Sequence, residues 1–265
     1  MKLILAVLIT CTIVYAKEYY SKVEPYEIRT IMSNVTGIVL LTENDMIGKQ
    51  LSKSIFIKID SELDEDELEA VKKKLLFVKN TLSLNEKVLK NIKSTLDRKR
   101  VNYEKIKNLK IKSRIEKDKE FYDMLNAENS YLSTKKEMNT LRTNIADLEL
   151  RKAQLIKTLH DKNIAAEGFV LYDILVKVGQ AVNTTTPLAK IADVSKGLLT
   201  LYLDEDDLRN LENKAIFING KKTKYKISRV SYIADETNIS KYKAQIVVDA
   251  PKVFSNVVKI ELKDR

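Results

Sequence analysis

Between Glu62 and Lys162 the apolar residues recur by threes and fours in two separate registers. The first passes through Leu68, Val71, Leu75, Val78, Leu82, Asn85, Leu89, Ile92, Leu96, Lys99, Tyr103 and Ile106. The second passes through Met124, Ala127, Tyr131, Thr134, Met138, Leu141, Ile145, Leu148, Lys152, Leu155 and Leu159. Each has an average step of about 3.5 residues, the repeat of a coiled coil rather than of a lone amphipathic helix. The stretch contains neither glycine nor proline, so nothing in it interrupts a helix. The registers do not join across Ile106 to Met124, where Lys110, Lys112, Arg114, Lys117 and Lys119 crowd together. This predicts two antiparallel helices of nearly equal length over 62–162 with a tip near 107–116. An arm of about 50 residues at about 1.5 Å each would reach roughly 75 Å.

On either side of the arm the pattern changes to alternation, and the two sides match. Val35-Thr36-Gly37-Ile38-Val39-Leu40 is followed by Gly48, and Ala166-Glu167-Gly168-Phe169-Val170-Leu171 by Gly179. The glycines are 11 apart in both copies, and a further apolar run follows each pair, Ile55 to Ile59 and Pro187 to Ile191, ending in Asp60 and Asp193. Such a repeat predicts two small β halves, 34–61 and 163–196, with turns at Gly37, Gly48, Gly168 and Gly179 where a positive φ is needed. Neither half has enough apolar surface to fold alone. Docked face to face they form one sandwich with the coiled coil inserted between them.

From 197 to 265 alternation returns at Leu198–Leu203, Ala215–Ile218, Tyr225–Val230, Tyr242–Val248 and Val257–Leu262, with a hairpin turn at Asn219-Gly220. The acidic run Asp204-Glu205-Asp206-Asp207 predicts a short helix capped by Asp204. Four consecutive acids point in different directions on a helix, and no glycine-bearing calcium loop accompanies them, so no metal is assigned.

At the start of the chain, Lys2 precedes an apolar run from Leu3 to Val14, then Tyr15-Ala16 and Lys17-Glu18. This is the pattern of a signal peptide, 1–16, cleaved after Ala16. The run falls short of the ~20 residues of a membrane span. An acylated Cys11 is the alternative, although Thr10 is a poor neighbour for it. Cys11 is the single cysteine, so the processed chain has no disulfide, thiolate nucleophile or cysteine metal site. The net charge of +10 is concentrated: Val71–Lys119 holds 17 Lys or Arg against 5 Asp or Glu, leaving the rest slightly acidic. A basic arm could attract nucleic acid, but an exported chain meets none, so an acidic partner or a simple solvated face is expected.

Catalytic chemistry finds no foothold. His160 is the sole histidine, at the arm's base, and no phosphate-cradling glycine loop is present. Met124 and Met138 fall on the coiled-coil seam and Met32 and Met46 are scattered, which indicates packing rather than a methionine metal site. No enzyme activity and no cofactor are expected.

The ordered combination of half-motif, helical hairpin, half-motif and strand-rich end resembles the periplasmic adaptor family, the HlyD-like membrane fusion proteins. Gly168 to Asn183, continued by Pro187 to Asp193, is similar to the second half-motif of the family's biotinyl/lipoyl-like domain. Ile227 to Asp235 is similar to a strand and turn of its β-barrel domain. The resemblance implies an elongated α+β fold: a long antiparallel coiled-coil hairpin inserted in a split lipoyl-like sandwich, followed by a β-barrel. In a true lipoyl domain a modified lysine sits where this chain has its arm, so no lipoyl-lysine is assigned. Residues 17–33 would be a reduced membrane-proximal strand region. The implied role is an adaptor in the periplasm, peripheral to the inner membrane, joining an inner-membrane transporter to an outer-membrane efflux channel and self-associating into a trimeric or hexameric ring. The lack of a transmembrane anchor points to a proton-driven (RND) pump over an ATP-driven (ABC) one. The family's Arg-x3-Leu-x6-Ser tip signature is matched only as far as Lys105 and Leu109, with Glu116 in the serine position. Lys105, Leu109, Lys112, Ser113 and Arg114 are the candidate channel-docking residues. The alternative is an envelope tether whose basic coiled coil binds an anionic polymer or lipid without transport.

Overall fold

The computed structural model describes residues 17–209, 211–235, 237–238 and 240–264. The expected signal segment, with Cys11, lies outside the described residues. The chain runs β1 (Lys17–Lys22), β2 (Glu24–Met32), β3 (Gly37–Thr42), β4 (Gln50–Ile59), α1 (Glu62–Ile106), α2 (Arg114–Lys162) and β5 (Asn163–Ile174). It continues with β6 (Ala181–Val182), β7 (Pro187–Leu203), α3 (Glu205–Leu208), β8 (Lys214–Ile218), β9 (Lys221–Lys222), β10 (Ile227–Ala234), β11 (Tyr242–Asp249) and β12 (Val257–Asp264).

The two repeat halves share one core. Val39, Leu51, Phe56, Ile57 and Ile59 from the first half pack with Leu171, Val182, Leu188 and Ile191 from the second, most of them fully buried. Burying each such side chain stabilises by about 1.5–3 kcal/mol, and both halves must be present for either to gain it. Strands β4 and β5 pair antiparallel, ending at Ile57 opposite Ile164 and Lys58 opposite Asn163. Immediately beyond these pairs the chain enters α1 and leaves α2. The sandwich's central ladder therefore sets the spacing at which the two helices start.

The four repeat glycines do not share one role. Gly48, Gly168 and Gly179 have φ of +82°, +80° and +84°. Gly168 lies inside β5, where the register against β4 shifts between Val170 and Glu167, so it makes a bulge rather than a turn. Gly37 lies outside the positive-φ region. It opens β3, where a Cβ would stand 2.6 Å from Ile59 Cγ2, so glycine is needed there for close approach.

The strand-rich end is an open barrel rather than a closed one. One sheet runs β1-β12-β8-β9, and β7, β11 and β10 face it. Among the described residues no ladder joins β10 to β8 or β9. Strand β9 stops after two residues, and Tyr225 turns back to donate its hydroxyl to Asp249 at 2.9 Å. Asn219 and Gly220, with φ of 49° and 78°, form the tight turn between β8 and β9. The core is Leu199, Leu201, Leu203, Ile216, Ala244, Ile246 and Ile260, joined by Val23 from the N-terminal segment.

Residues 17–33 pack onto the rest of the chain. Strand β1 pairs with β12 along its whole length, and β2 pairs with β7. Strand β7 itself crosses the expected boundary at 196/197 without a break. Its first part pairs with β5 and its last part with β11, so a single strand of 17 residues runs through both β units. Gly197 sits at this crossing, and a Cβ there would stand 2.8 Å from both Val23 Cγ1 and Val248 Cγ2.

The acidic run closes the N-terminal strand onto the barrel. Asp204 occupies the N-cap position of α3, but its carboxylate is taken by Lys17 and Lys241 instead of capping. Asp207 is buried and accepts from Tyr19 and from Lys17 at 2.8 Å, with Lys214 4.0 Å away. Burial pushes the Asp207 carboxyl up, and the hydrogen bonds from Lys17 and Tyr19 more than reverse this, leaving it below the ordinary carboxylate range. Hydrogen bonds from Lys17 and Lys241 lower Asp204 as well.

Two outcomes are expected. Gly197→Ala should cost about 1–3 kcal/mol in urea unfolding through overpacking; an unchanged midpoint would contradict the close approach. Because Asp204 and Asp207 titrate below their ordinary value of about 3.8, their contribution is complete above that pH and is lost as pH falls through the folded value. Asp207→Asn should lower stability at pH 7 by about 1–3 kcal/mol and lose less on further acidification to pH 3 than the parent, measured by thermal melts.

Candidate functional site

The projecting hairpin is where this chain departs from a compact β protein, and its construction begins at the base. Lys162 pairs with Asp64, and Arg151 grips Glu67 through two bonds of 2.7 and 2.6 Å. Leu68, Val71 and Leu155 form a small core there. Every position of the two apolar registers is buried or half-buried, whereas Leu76, Phe77 and Leu84, which lie off the seam, are exposed. The amide Nδ2 of Asn85, on the seam, is buried without a partner. A polar seam position of this kind is a register device that costs some stability.

Ion pairs flank the seam and cross from helix to helix: Lys79–Glu149 at 2.6 Å, Lys99–Asp123 at 2.8 Å, Arg100–Glu128 at 3.4 Å and Arg142–Glu86 at 3.7 Å. Lying at or near the surface, such pairs add little stability individually. Together they match α1 to α2 at one alignment. Near the far end Tyr103 and Phe121 pack across the pair at a tilt of 50°, with ring centroids 5.3 Å apart.

The tip spans Lys107 to Ser113, inside the predicted 107–116. The Leu109 N–H donates to Ile106 C=O at 3.0 Å and the Lys112 N–H to Leu109 C=O at 3.4 Å. Ser113 is the N-cap of α2 in a reciprocal capping box: its hydroxyl oxygen accepts from the Glu116 N–H at 3.3 Å, and the Glu116 carboxylate accepts from the Ser113 N–H at 2.9 Å. With Lys112 also 3.0 Å away, and the Ser113 amide the largest contributor, the Glu116 carboxyl is held down to about 2. Ser113-x-x-Glu116 is a readable capping signature. It marks the start of α2, which charge crowding alone placed only roughly.

The candidate docking residues therefore fall into two groups. Lys112 and Ser113 serve the turn itself, and Arg114, whose side chain is 95% exposed, leans toward Asp118 at 3.8 Å. Lys105 faces solvent without such a duty, and Leu109 lends its backbone to the turn while remaining 42% exposed. Sequence pattern missed Ile111 and Ile115, 88% and 81% exposed at the apex. They lie where the two heptad registers fail to join, which was the only signal pointing to them.

Elsewhere the chemistry is sparse. His160 is exposed, with Nδ1 3.3 Å from Asp161. Among the described residues no group of three or more His, Cys, Asp or Glu is placed to hold a metal ion, and no helix is long and apolar enough to cross a membrane.

No protein-family model matches the chain, and comparison with curated proteins finds no match. Solved structures do match, over almost the whole chain. MacA from Actinobacillus actinomycetemcomitans superposes with a TM-score of 0.72 at 20% identity, over 94% of this chain and 80% of that one. The membrane fusion protein Spr0693 from Streptococcus pneumoniae R6 gives 0.64 at 13% identity, over 94% and 100%. A MacA-MexA chimera carrying the Pseudomonas aeruginosa MexA α-hairpin domain gives 0.60 at 16%, over 94% and 82%. The elongated α+β fold of MacA and of the membrane fusion protein Spr0693 is the fold of this chain.

Removing the cap tests the tip directly. Ser113→Ala should cost about 1 kcal/mol of local stability. Amide exchange in the first turn of α2 should speed up while exchange at the sandwich core stays unchanged; an unaltered first turn would show the box to be idle.

Proposed function

We propose that this chain is the adaptor subunit of a tripartite export system. It links an inner-membrane transporter to an outer-membrane efflux channel and acts mechanically rather than as an enzyme. The observation that carries this is the inserted hairpin. Its two ends are clamped by one shared β core and its two helices are locked in register, so it is a strut that holds a tip far from its base. At about 1.5 Å per residue the 45 residues of α1 extend about 68 Å. The fold likeness to MacA and to the membrane fusion protein Spr0693 supports the same reading.

In this proposal the chain is exported to the periplasm by cleavage after Ala16 and lies peripheral to the inner membrane. The open barrel sits toward the transporter, the sandwiches stand side by side in a trimeric or hexameric ring, and the arms reach the exit channel. Lys105 and Leu109 are the proposed tip contacts, with Lys112, Ser113 and Arg114 shaping the turn that presents them. An RND-type transporter is proposed over an ABC-type one.

The test shortens the strut without changing its ends. Excision of residues 82–95 and 131–144, two matched heptads from each helix, shortens the arm while leaving the base clamp, the tip and both β units. The shortened chain should fold, by circular dichroism, and fail to restore efflux across a panel of dyes in cells lacking the parent gene. Full restoration would sink the reading of the arm as a required spacer.

A further inference from the structure

The two sheets of the barrel meet on one side and part on the other. Where they meet, the Thr200 N–H of β7 donates to Ser21 Oγ of β1 at 3.0 Å. Where they part, between β10 and the start of β8, lies a cleft of about 520 Å³. Its floor is apolar: Leu211, Ile227 and Val230 are half-buried against the barrel core. Its rim is basic, since residues 211–233 hold six Lys or Arg against one acid, Glu212. Lys214 and Lys224 reach a carboxylate only at 4.0 Å, and Lys221, Lys222, Lys226 and Arg229 make no ion pair among the described residues. Strand β10 is paired along one edge, with β11. Its other edge offers backbone groups to anything extended beside it. The far end is already folded on itself, because Ser231 Oγ accepts from the Ile233 N–H at 3.3 Å and donates to the Ile233 C=O at 3.0 Å. The usable edge is therefore Ile227 to Ser231.

We propose that this seam receives an extended segment of another protein, with acidic and apolar residues alternating, added as a strand along β10. The alternation follows from strand geometry, in which successive side chains face opposite ways. One set of the segment's side chains meets the apolar floor and the other meets the Lys226 and Arg229 rim. Its backbone takes up the free edge, which gives affinity, while the side chains give specificity. Lysines beside an open edge also guard it against pairing with its own kind. That guard is selective: it repels a second copy of this basic edge and attracts an acidic strand. The chain cannot supply the strand from its own acidic runs. Residues 62–69 and 204–207 sit at the starts of α1 and α3, where they are not extended. The contact is a property of the barrel alone. The adaptor reading is needed only to place the segment on a subunit at the transporter side.

The probe is a dye-labelled peptide of alternating glutamate and valine, about six residues long, added to the full-length chain. Fluorescence anisotropy should show saturable binding that weakens as salt rises. Amide exchange at Ile227–Ser231 should slow while exchange in β5 stays unchanged. A peptide with lysine in place of glutamate should bind about tenfold more weakly. The glutamate peptide should lose about as much on a chain carrying Lys226→Glu and Arg229→Glu, two exposed positions whose exchange leaves the circular dichroism unaltered. Methylating the peptide's backbone nitrogens separates strand pairing from charge attraction, because pairing needs the N–H groups. Methylation of one of the two alternate sets should weaken binding about tenfold at unchanged charge. Three results overturn the proposal. One is no saturable binding of the glutamate peptide at low salt. Another is equal binding by both methylated peptides, which would leave a site for any polyanion. The third is slowed exchange at Ile227–Ser231 on raising the concentration of the chain without peptide, which would put a second copy there. Failure removes the strand contact and leaves the adaptor reading standing, whereas restored efflux by the shortened chain removes that reading and leaves the peptide binding untouched.

Discussion

Everything distinctive about this molecule depends on one ladder, β4 against β5, at the centre of a core that two separated sequence segments build together. Ile57 faces Ile164 and Lys58 faces Asn163 at its last rungs. A few residues further on, Asp64 meets Lys162 across the start of the hairpin. An antiparallel β pair thus passes directly into an antiparallel helix pair. The helices need not find each other by diffusion or choose their own register, because the sandwich presents them side by side. Conversely, the helices tether the two β halves. The link costs loop-closure entropy that grows only slowly with its length, so a hundred-residue insertion is tolerable.

Charge is laid out on this frame with a gradient. Near the base the helices use arginine on glutamate and lysine on aspartate across the seam, so some of the acids there hold the pair together. Toward the tip acids thin out while lysines continue, and the Glu116 carboxylate closes the turn. Exposed pairs of this kind add little stability individually. Their effect is on alignment and on the field that the far end presents to a partner.

The opposite end has its own rigid element. Strand β7 is paired with β5 and β2 in one unit and with β11 in the other, so the sandwich and the open barrel share a strand rather than a linker. Gly197 lets Val23 and Val248 meet where the two units join. A long arm on a hinged base would lose its reach to bending, and a continuous strand in place of a flexible linker removes that freedom.

The arm was legible residue by residue. Heptad spacing depends only on local geometry, so Leu68, Val71 and Leu96 in α1 and Met138 and Leu155 in α2 could be assigned to the seam before any partner was known, and the absence of glycine and proline left nothing to interrupt either helix. The paired half-motifs likewise announced a split domain, because alternation and glycine spacing are local. What tertiary structure alone decided were the non-local matters. Gly37 and Gly197 are glycines because of what packs against them, not because of their own φ. Asp204 abandons its cap for lysines 187 and 37 positions away. Residues 17–33 go to the barrel and to β7 because edges left open there need hydrogen-bond partners. The apex exposes Ile111 and Ile115 because a turn has no second helix to cover them, and a spacing rule ends where the helix does.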